Sequence, residues 1–547
     1  MSVLLVKKIN KQGVNIMITI DKLSKLYSTG KINRRDFMQG ATAMGVTVAA
    51  ASSMAFQAQA STPKKGGTFR LAMGHGSTTD SLDPATYENG FSNGMGYALG
   101  NHLTEVKTSG QLGPELAESY ESSDAITWRF KIRKGVEFHN GKTLTVNDVL
   151  ASINHHRGED SKSAAKGLLA PIEEMKADGD SVVFVLKAAN GDWPYIMSDY
   201  HLKIMPEVDG VADWASGNGT GGYKLEVFEP GVKLEASRNP NYWKEGAGHF
   251  DSFILSSVID PVARQNALMN GEVDTIDRVD PKTVDLLSKV PSINIVENTG
   301  TLHYTFPMRL NVEPFGNYDL RMALKCAIKR QELVDKILLG HGALGNDHPI
   351  STANPYHNSD LPQREFDPDK AKHHYKKSGH SGTIQLAAAD AAFAGAVDAA
   401  QLISASAAEC GINIEVFRAP SDGYWSNIWN NDAHGWSACY WGGRPTEDWM
   451  FSAAYTNDTE WNDTNWKGTD GSKRFNELVV QARAELDKKK RREIYYECQS
   501  LVNDDGGSMI PMFANYIMGL SNKIGHGQMA ANWDVDGGKA MERWWFK

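Results

Sequence analysis

The sequence predicts an α/β protein of two or three domains, on three observations. The chain has 547 residues, enough for several hydrophobic cores. Short alternating apolar segments dominate up to about residue 300. Beyond that point helical periodicity alternates with strands, the pattern of an α/β lobe. No internal repeat or low-complexity linker separates the parts, so crossing strands are expected to connect them.

In chain order, Gly66-Gly67-Thr68-Phe69-Arg70-Leu71-Ala72-Met73 reads as a turn feeding an alternating strand. Ile126 to Lys131 and Val182 to Lys187 read the same way. Lys224 to Val227 and Lys233 to Ser237 flank Pro230-Gly231, which predicts a hairpin. Asp319 to Leu339 places Met322, Ala323, Cys326, Ala327, Val334, Ile337 and Leu338 near one helical face, closed by Gly340. Ala391 to Cys410 is Ala-rich and stops at Gly411, and Ile412 to Phe417 then forms a strand. Ser472 to Val502 reads as one long amphipathic helix or two. Phe475, Leu478, Val479, Ala482 and Leu486 are its apolar stripe, and Lys488 to Arg492 a solvated charge run.

The first 60 residues read as an export signal. Asn33-Arg34-Arg35-Asp36-Phe37-Met38-Gln39 precedes a mildly apolar stretch, Gly40 to Phe56, and the small-x-small site Ala58-Gln59-Ala60. The run resembles the twin-arginine consensus, with Met38 and Gln39 in place of the usual Leu and Lys. Cleavage leaves 487 residues from Ser61, and Met17 is an alternative start to Met1. No uninterrupted apolar run of spanning length follows, so the mature chain is expected to be soluble. No lipobox cysteine follows the signal either.

The whole chain has formal charge -9; the part after residue 60 carries 49 basic against 64 acidic side chains. An acidic chain without a basic stripe argues against nucleic acid and anionic membrane surfaces as partners. Cys326, Cys410, Cys439 and Cys498 show no metal spacing. A Cys410–Cys439 disulfide and buried free thiols both remain open. There is no HExxH, P-loop or G-x-G-x-x-G opening a helix, so these motifs call for no enzyme or cofactor. His155-His156 and His373-His374 point about 100° apart on a helix and read as surface residues. Glu173-Glu174 and Asp504-Asp505 read as solvated charge.

Aromatic residues concentrate in the second half: Tyr424, Trp425, Trp429, Trp436, Tyr440, Trp441 and Trp449, together with Arg444. Aromatic walls with a few placed polar groups suit a small-molecule cleft. Trp429, Trp436 and Trp449 are expected in the core, with Trp425 and Trp441 as wall candidates.

Several ordered motifs resemble one family. Gly66-Gly67-Thr68-Phe69 and Ser81-Leu82-Asp83-Pro84 are similar to its opening, and Pro114-Glu115-Leu116-Ala117-Glu118-Ser119-Tyr120 to its "P-x-LAESW" stretch. Trp128 through Lys142, which includes the "RKGVEFHNG" block, and Asn147-Asp148-Val149 resemble its most distinctive segment. Gly219-Thr220-Gly221-Gly222-Tyr223 and Arg238-Asn239-Pro240-Asn241-Tyr242-Trp243 fit "GTGPY…RNPxYW". Arg264, Ala267, Gly271 and Asp274, then Pro314-Phe315, Arg321-Met322-Ala323-Leu324 and Gly340, follow in order. On these residues the chain resembles the periplasmic solute-binding proteins of the peptide, opine and nickel ABC transporters (family 5, dipeptide- and oligopeptide-binding-protein-like).

The resemblance implies a two-lobed periplasmic binding protein fold, type II, cluster C. Lobe I would comprise residues 61–110, 215–302 and a return at 515–547, with an extra subdomain inserted at 111–214. Lobe II would be 303–514, joined by strands crossing near residues 300 and 515. It implies capture of a solute between the lobes and delivery to permease subunits, by a monomer without cofactor. A chemoreceptor is a further partner compatible with this role. His139 would be structural.

In the family's peptide binders, a "W-x-x-D-x-x-x-P" segment supplies an Asp to the ligand's amino group. Here Tyr440-Trp441-Gly442-Gly443-Arg444-Pro445 places Arg444 at that position, reversing the charge. A guanidinium fork matches a carboxylate or phosphate. The expected solute is an opine, an acidic or γ-linked peptide, or another amino-acid conjugate with an acidic group. A loop-shaping pairing of Arg444 with Glu447 or Asp448 is the structural alternative. Asp347 and His348 are further ligand candidates, with a loop-tying role open for Asp347. Arg309 is a candidate carboxylate clamp, and Tyr87, Asn89 and Phe91 are expected on the lobe I side. Chelated nickel, haem or an oligosaccharide in the same fold, a secreted enzyme, and a peptide-binding chaperone are the competing readings.

Overall fold

The computed structural model describes residues 63–547, apart from 88, 421–423, 443 and 460. The export signal and both candidate start codons lie outside the described residues, as does the side chain of Trp425.

A nine-stranded sheet organises the molecule. Its path runs Tyr223–Glu229, Lys233–Arg238, Ser252–Ser257, Thr68–Met73, Thr275–Ile276, Met512–Ser521, Ile293–Thr305, Cys439–Trp441, and Gly342–Leu344 also pairs with Met512–Ser521. Thr68–Met73 runs parallel to both its neighbours, and the remaining pairs are antiparallel. The hairpin expected at Pro230-Gly231 is present. Gly231 has φ 73°, and a Cβ there would lie 2.8 Å from the Thr78 amide, so both conformation and space require glycine. Phe69 stacks on Phe250 at 4.6 Å, and both are fully buried. Burying such a side chain contributes roughly 1.5–3 kcal/mol.

Ile293–Thr305 and Met512–Ser521 are the long antiparallel pair of this sheet, in register from Ile293↔Ser521 to Tyr304↔Met512. They enter two cores. Met518 and Leu520 pack with Phe69, Phe250 and Trp544, whereas Met512 and Ala514 pack with Phe306, Leu320 and Leu386. The register slips between Thr299 and His303. Gly300 sits in that slip with the Tyr516 ring against it, leaving no room for a side chain.

A separate antiparallel sheet, ordered Ala117–Glu121, Thr127–Ile132, Ser181–Leu186, Ile172–Asp178, has its own core around Phe130, Phe184 and Trp193. In the second half, Ile384–Ala388 and Ile414–Arg418 pair in parallel beside helix Ala396–Ala408, the α/β arrangement expected there. Among the described residues no helix is long and apolar enough to cross a membrane.

Several expectations are corrected. Asp319 to Leu339 is two helices, Tyr318–Cys326 and Arg330–Lys336. At the break, outside groups take the carbonyls: the Asp367 amide donates to Cys326 O at 2.9 Å and Arg330 Nη2 to Lys325 O at 3.1 Å. Ser472 to Val502 is likewise two helices, Asp470–Ala484 and Lys488–Asp504, the second capped by Asp487. Within the supposedly solvated run, Arg491 is buried. His156 is also buried, against Ser163, and Asp505 accepts from Trp466 Nε1 at 2.8 Å. All four cysteines are free and buried, so Cys410–Cys439 is not a disulfide.

Candidate functional site

A cavity of about 360 Å³ lies between two groups of elements. One wall comes from Tyr87, Tyr97 and residues 198–201, together with the 532–539 loop; the other comes from Arg444, Pro445, Trp449 and Trp461.

Arg444 is positioned from both sides. Strand Cys439–Trp441 pairs with the crossing strand through His303↔Trp441, so its end is fixed at the crossover. Five residues later, Thr446 caps helix Glu447–Ala454 by accepting from the Trp449 amide at 3.2 Å. Within this short turn Arg444 Nη1 donates to Gly442 O at 2.6 Å, and its guanidinium lies 5.3 Å from the Trp441 ring centroid. Trp441 is itself held by a hydrogen bond from its Nε1 to Asp463 Oδ2 at 3.0 Å. It meets Trp429 and Trp461 at 6.1 and 6.0 Å.

Arg444 has no carboxylate within ion-pair distance among the described residues. The two acids closest in sequence are engaged elsewhere: Glu447 accepts from the Tyr356 amide at 2.7 Å, and Asp448 from Arg483 Nε at 2.7 Å. Burial works against the Arg444 charge and outweighs the support from Tyr200, Tyr440 and Asp199, so its value lies below that of a free arginine. An arriving carboxylate would relieve that cost.

The facing wall holds acceptors. Asp199 Oδ1 receives the His201 amide at 3.0 Å and faces His201 Nδ1 at 2.5 Å. The other ring nitrogen of His201 reaches the Tyr87 carbonyl at 2.9 Å. Asn532 and Trp533 are presented by a strained loop in which Val535, Asp536, Gly537 and Gly538 all have positive φ. Non-glycine residues in that region cost about 1–3 kcal/mol each and persist only when over-determined. Asp536 does this, accepting from the Ala530 amide at 2.7 Å and Trp544 Nε1 at 3.0 Å.

The other expected site residues fall in varied places. Tyr87 lines the cavity, but Asn89 caps helix Gly90–Leu99 and Phe91 is in the core. Tyr440 lies on the opposite strand face from Trp441 and is 47% exposed. A Cβ on Gly442 would press on Leu302 Cα at 3.3 Å. Gly443 and the Trp425 side chain lie outside the described residues. Trp436 is in the core as expected, whereas Trp449 faces the cavity.

Asp347 and Arg309 are tied into the protein and not presented to a ligand. Asp347 is fully buried; its Oδ2 accepts from Arg330 at 2.7 Å and Arg364 at 2.5 Å, and Oδ1 from the Ile510 amide at 3.0 Å. Arg309 pairs with Asp432 at 2.6 Å and donates to Asn430. His348 is buried beside a second cavity of about 480 Å³, with its ring 5.8 Å from His357.

Burial pushes the Asp347 carboxyl up, but Arg330 and then Arg364 outweigh it and hold it at about 2. That lies below an unfolded value near 3.9. The stabilisation is therefore complete above about pH 4 and is lost as pH falls toward 2, amounting to roughly 2 kcal/mol. Urea unfolding at pH 6, 4 and 3 should show a shallower acid loss in Asp347→Asn than in wild type. An identical acid limb in both would contradict the assignment.

Sequence reasoning missed Asp199, Tyr200, Trp461, Asn532 and Trp533. Trp461 and Trp533 carried a signal, as wall-sized aromatics next to polar residues; Asp199 carried none.

The fold and this cavity point to a solute-binding class of protein. The sequence pattern of bacterial extracellular solute-binding proteins, family 5 (middle region), matches residues 111–463, well over half of the chain. The chain belongs to that family. It is 25% identical over 330 residues to Di/tripeptide-binding protein 1 of Pseudomonas aeruginosa, covering 54% of this chain and 61% of that protein. Two solved structures share its periplasmic binding protein fold. AgaA of A. tumefaciens R10, in complex with agropinic acid, superposes with TM-score 0.69 at 21% identity, over 88% of this chain and 99% of AgaA. HbpA2 of Haemophilus parasuis superposes with TM-score 0.75 at 20% identity, over 88% of this chain and 100% of HbpA2.

Proposed function

We propose that this chain is the extracytoplasmic solute-binding component of an ABC importer. It captures a small peptide, opine or related amino-acid conjugate bearing an acidic group, closes over it and hands it to permease subunits. The observation that carries this reading is Arg444, a part-buried cation without a carboxylate partner among the described residues, set in an aromatic-walled cavity. A cavity of about 360 Å³ is at the small end of ligand pockets, roughly 300–1,000 Å³, and suits a compact conjugate better than a long peptide. Membership of family 5 and the likeness to a di/tripeptide binder and to an opine-bound protein support the same class.

Closure excludes water and strengthens charge pairing to the solute, and the permease reads the closed population. The two-core strand pair supports a division into a lobe of residues 61–302 and 515–547 and a lobe of 303–514, with 111–214 as an inserted subdomain. Arg34-Arg35 and Ala58-Gln59-Ala60 support twin-arginine export to the periplasm and cleavage before Ser61.

The test is a thermal-shift screen on protein unfolded and refolded to strip carried-over solute. Ligand at a hundredfold over its Kd adds about 2.7 kcal/mol, a readable shift. Acidic and γ-linked conjugates or opines should shift the transition. Shifts confined to neutral dipeptides, oligosaccharides or chelated nickel would overturn the reading.

A further inference from the structure

We infer that the solute is a zwitterion, bound with its acid group on Arg444 and its ammonium at Asp199 on the facing wall. This rests on the cavity being the solute site. One acceptor there lacks a donor. Asp199 lines the cavity with one carboxylate oxygen engaged by His201; the other makes no hydrogen bond among the described residues. An ammonium group, with three N–H bonds, gives that carboxylate oxygen a charge-assisted donor.

Aromatic faces fit the same head group. Tyr200 and Trp533 meet edge to face at 5.9 Å on the same wall, and both line the cavity. Such rings attract a cation through their negative faces. The one lysine lining this wall does not oppose it: Lys539 Nζ is paired with Glu105 at 2.9 Å and Glu115 at 3.0 Å. The wall therefore presents an unengaged carboxylate oxygen and no unpaired lysine, while Arg444 presents the reverse. A diacid without an amine would satisfy only the Arg444 side, and a C-terminally amidated peptide without an acidic side chain only the facing wall.

The experiment uses matched probes: γ-glutamylglycine, aspartylglycine and an octopine-type carboxyethyl amino acid, each with its amine free and acetylated. Calorimetric Kd values are measured on wild type, Arg444→Gln and Asp199→Asn, with unliganded melting curves as folding controls. In wild type, acetylation should weaken the best probe at least tenfold. In Asp199→Asn the two forms should differ by less than threefold. Equal wild-type affinity for the two forms would overturn the inference without any variant. So would a free-amine affinity unchanged by Asp199→Asn, provided binding still requires Arg444. If no probe binding depends on Arg444, the reading of the cavity falls, and this inference with it.

Discussion

Arg444→Ala is expected to weaken binding of an acidic conjugate by about 2–5 kcal/mol, a loss of roughly thirtyfold to several thousandfold in Kd. The magnitude follows from burial. The guanidinium is held by a single backbone acceptor and a tryptophan face, so most of its donors are left for the solute. Its removal strands a carboxylate in a closed, aromatic cavity. Arg444→Lys should recover little, because an ammonium cannot form the bidentate fork. The melting temperature of the unliganded variant should barely change, since no ion pair within the described residues is lost. Calorimetry on the best thermal-shift hit reads both effects, and an unchanged Kd would make Arg444 a loop-shaping residue.

The second large effect lies outside the cavity. Asp192 Oδ1 pairs with Arg491 Nη2 at 2.8 Å, and the Gly191 amide donates to Arg483 O at 2.5 Å. These contacts join the segment after strand Ser181–Leu186 to the helix pair Asp470–Ala484 and Lys488–Asp504. Both charges are buried. Burial works against Arg491, but Asp192 more than offsets it, so the guanidinium holds its proton more firmly than usual. Removing one partner of such a pair costs about 3–5 kcal/mol, while replacing both by apolar groups is often close to neutral.

On the proposed two-lobe division this pair joins the two lobes, so it would separate when they open. The cost of Asp192→Ala should therefore fall on the closed state and appear as affinity. We expect Kd to rise about a hundredfold or more for Asp192→Ala, with recovery in Asp192→Ala/Arg491→Met. Small-angle scattering with saturating solute should show the single variant more open than wild type. A single variant that binds and closes like wild type would exclude a role for this pair in closure.

What was legible in the sequence is what local pattern encodes. The Pro230-Gly231 hairpin, the strand after Gly66-Gly67 and the helix–strand alternation after residue 380 depend on turn chemistry and periodicity, which short windows carry. The break near Ala327 was not legible, because Asp367 and the Arg330 side chain impose it from outside the helix. Charges were harder still. Arg491 looked like part of a solvated run, and Asp347 and Arg309 like presented site groups. Their partners lie 17 to over 100 residues away, and only the fold shows that these charges are engaged. Arg444 stood out because its neighbours, Trp441, two glycines and a proline, describe a tight turn on an aromatic platform. The wall opposite it draws on residues near 87, 199 and 532, separated by hundreds of positions and joined only by tertiary packing.

The most direct test is a co-crystal structure of the chain from Ser61 with the acidic conjugate that gives the largest thermal shift. The account predicts its carboxylate on the Arg444 guanidinium at about 2.7–2.9 Å and its ammonium at Asp199, beside Tyr200 and Trp533. A solute whose acid group points to solvent, or one seated in the second cavity beside His348 and His357, would contradict it.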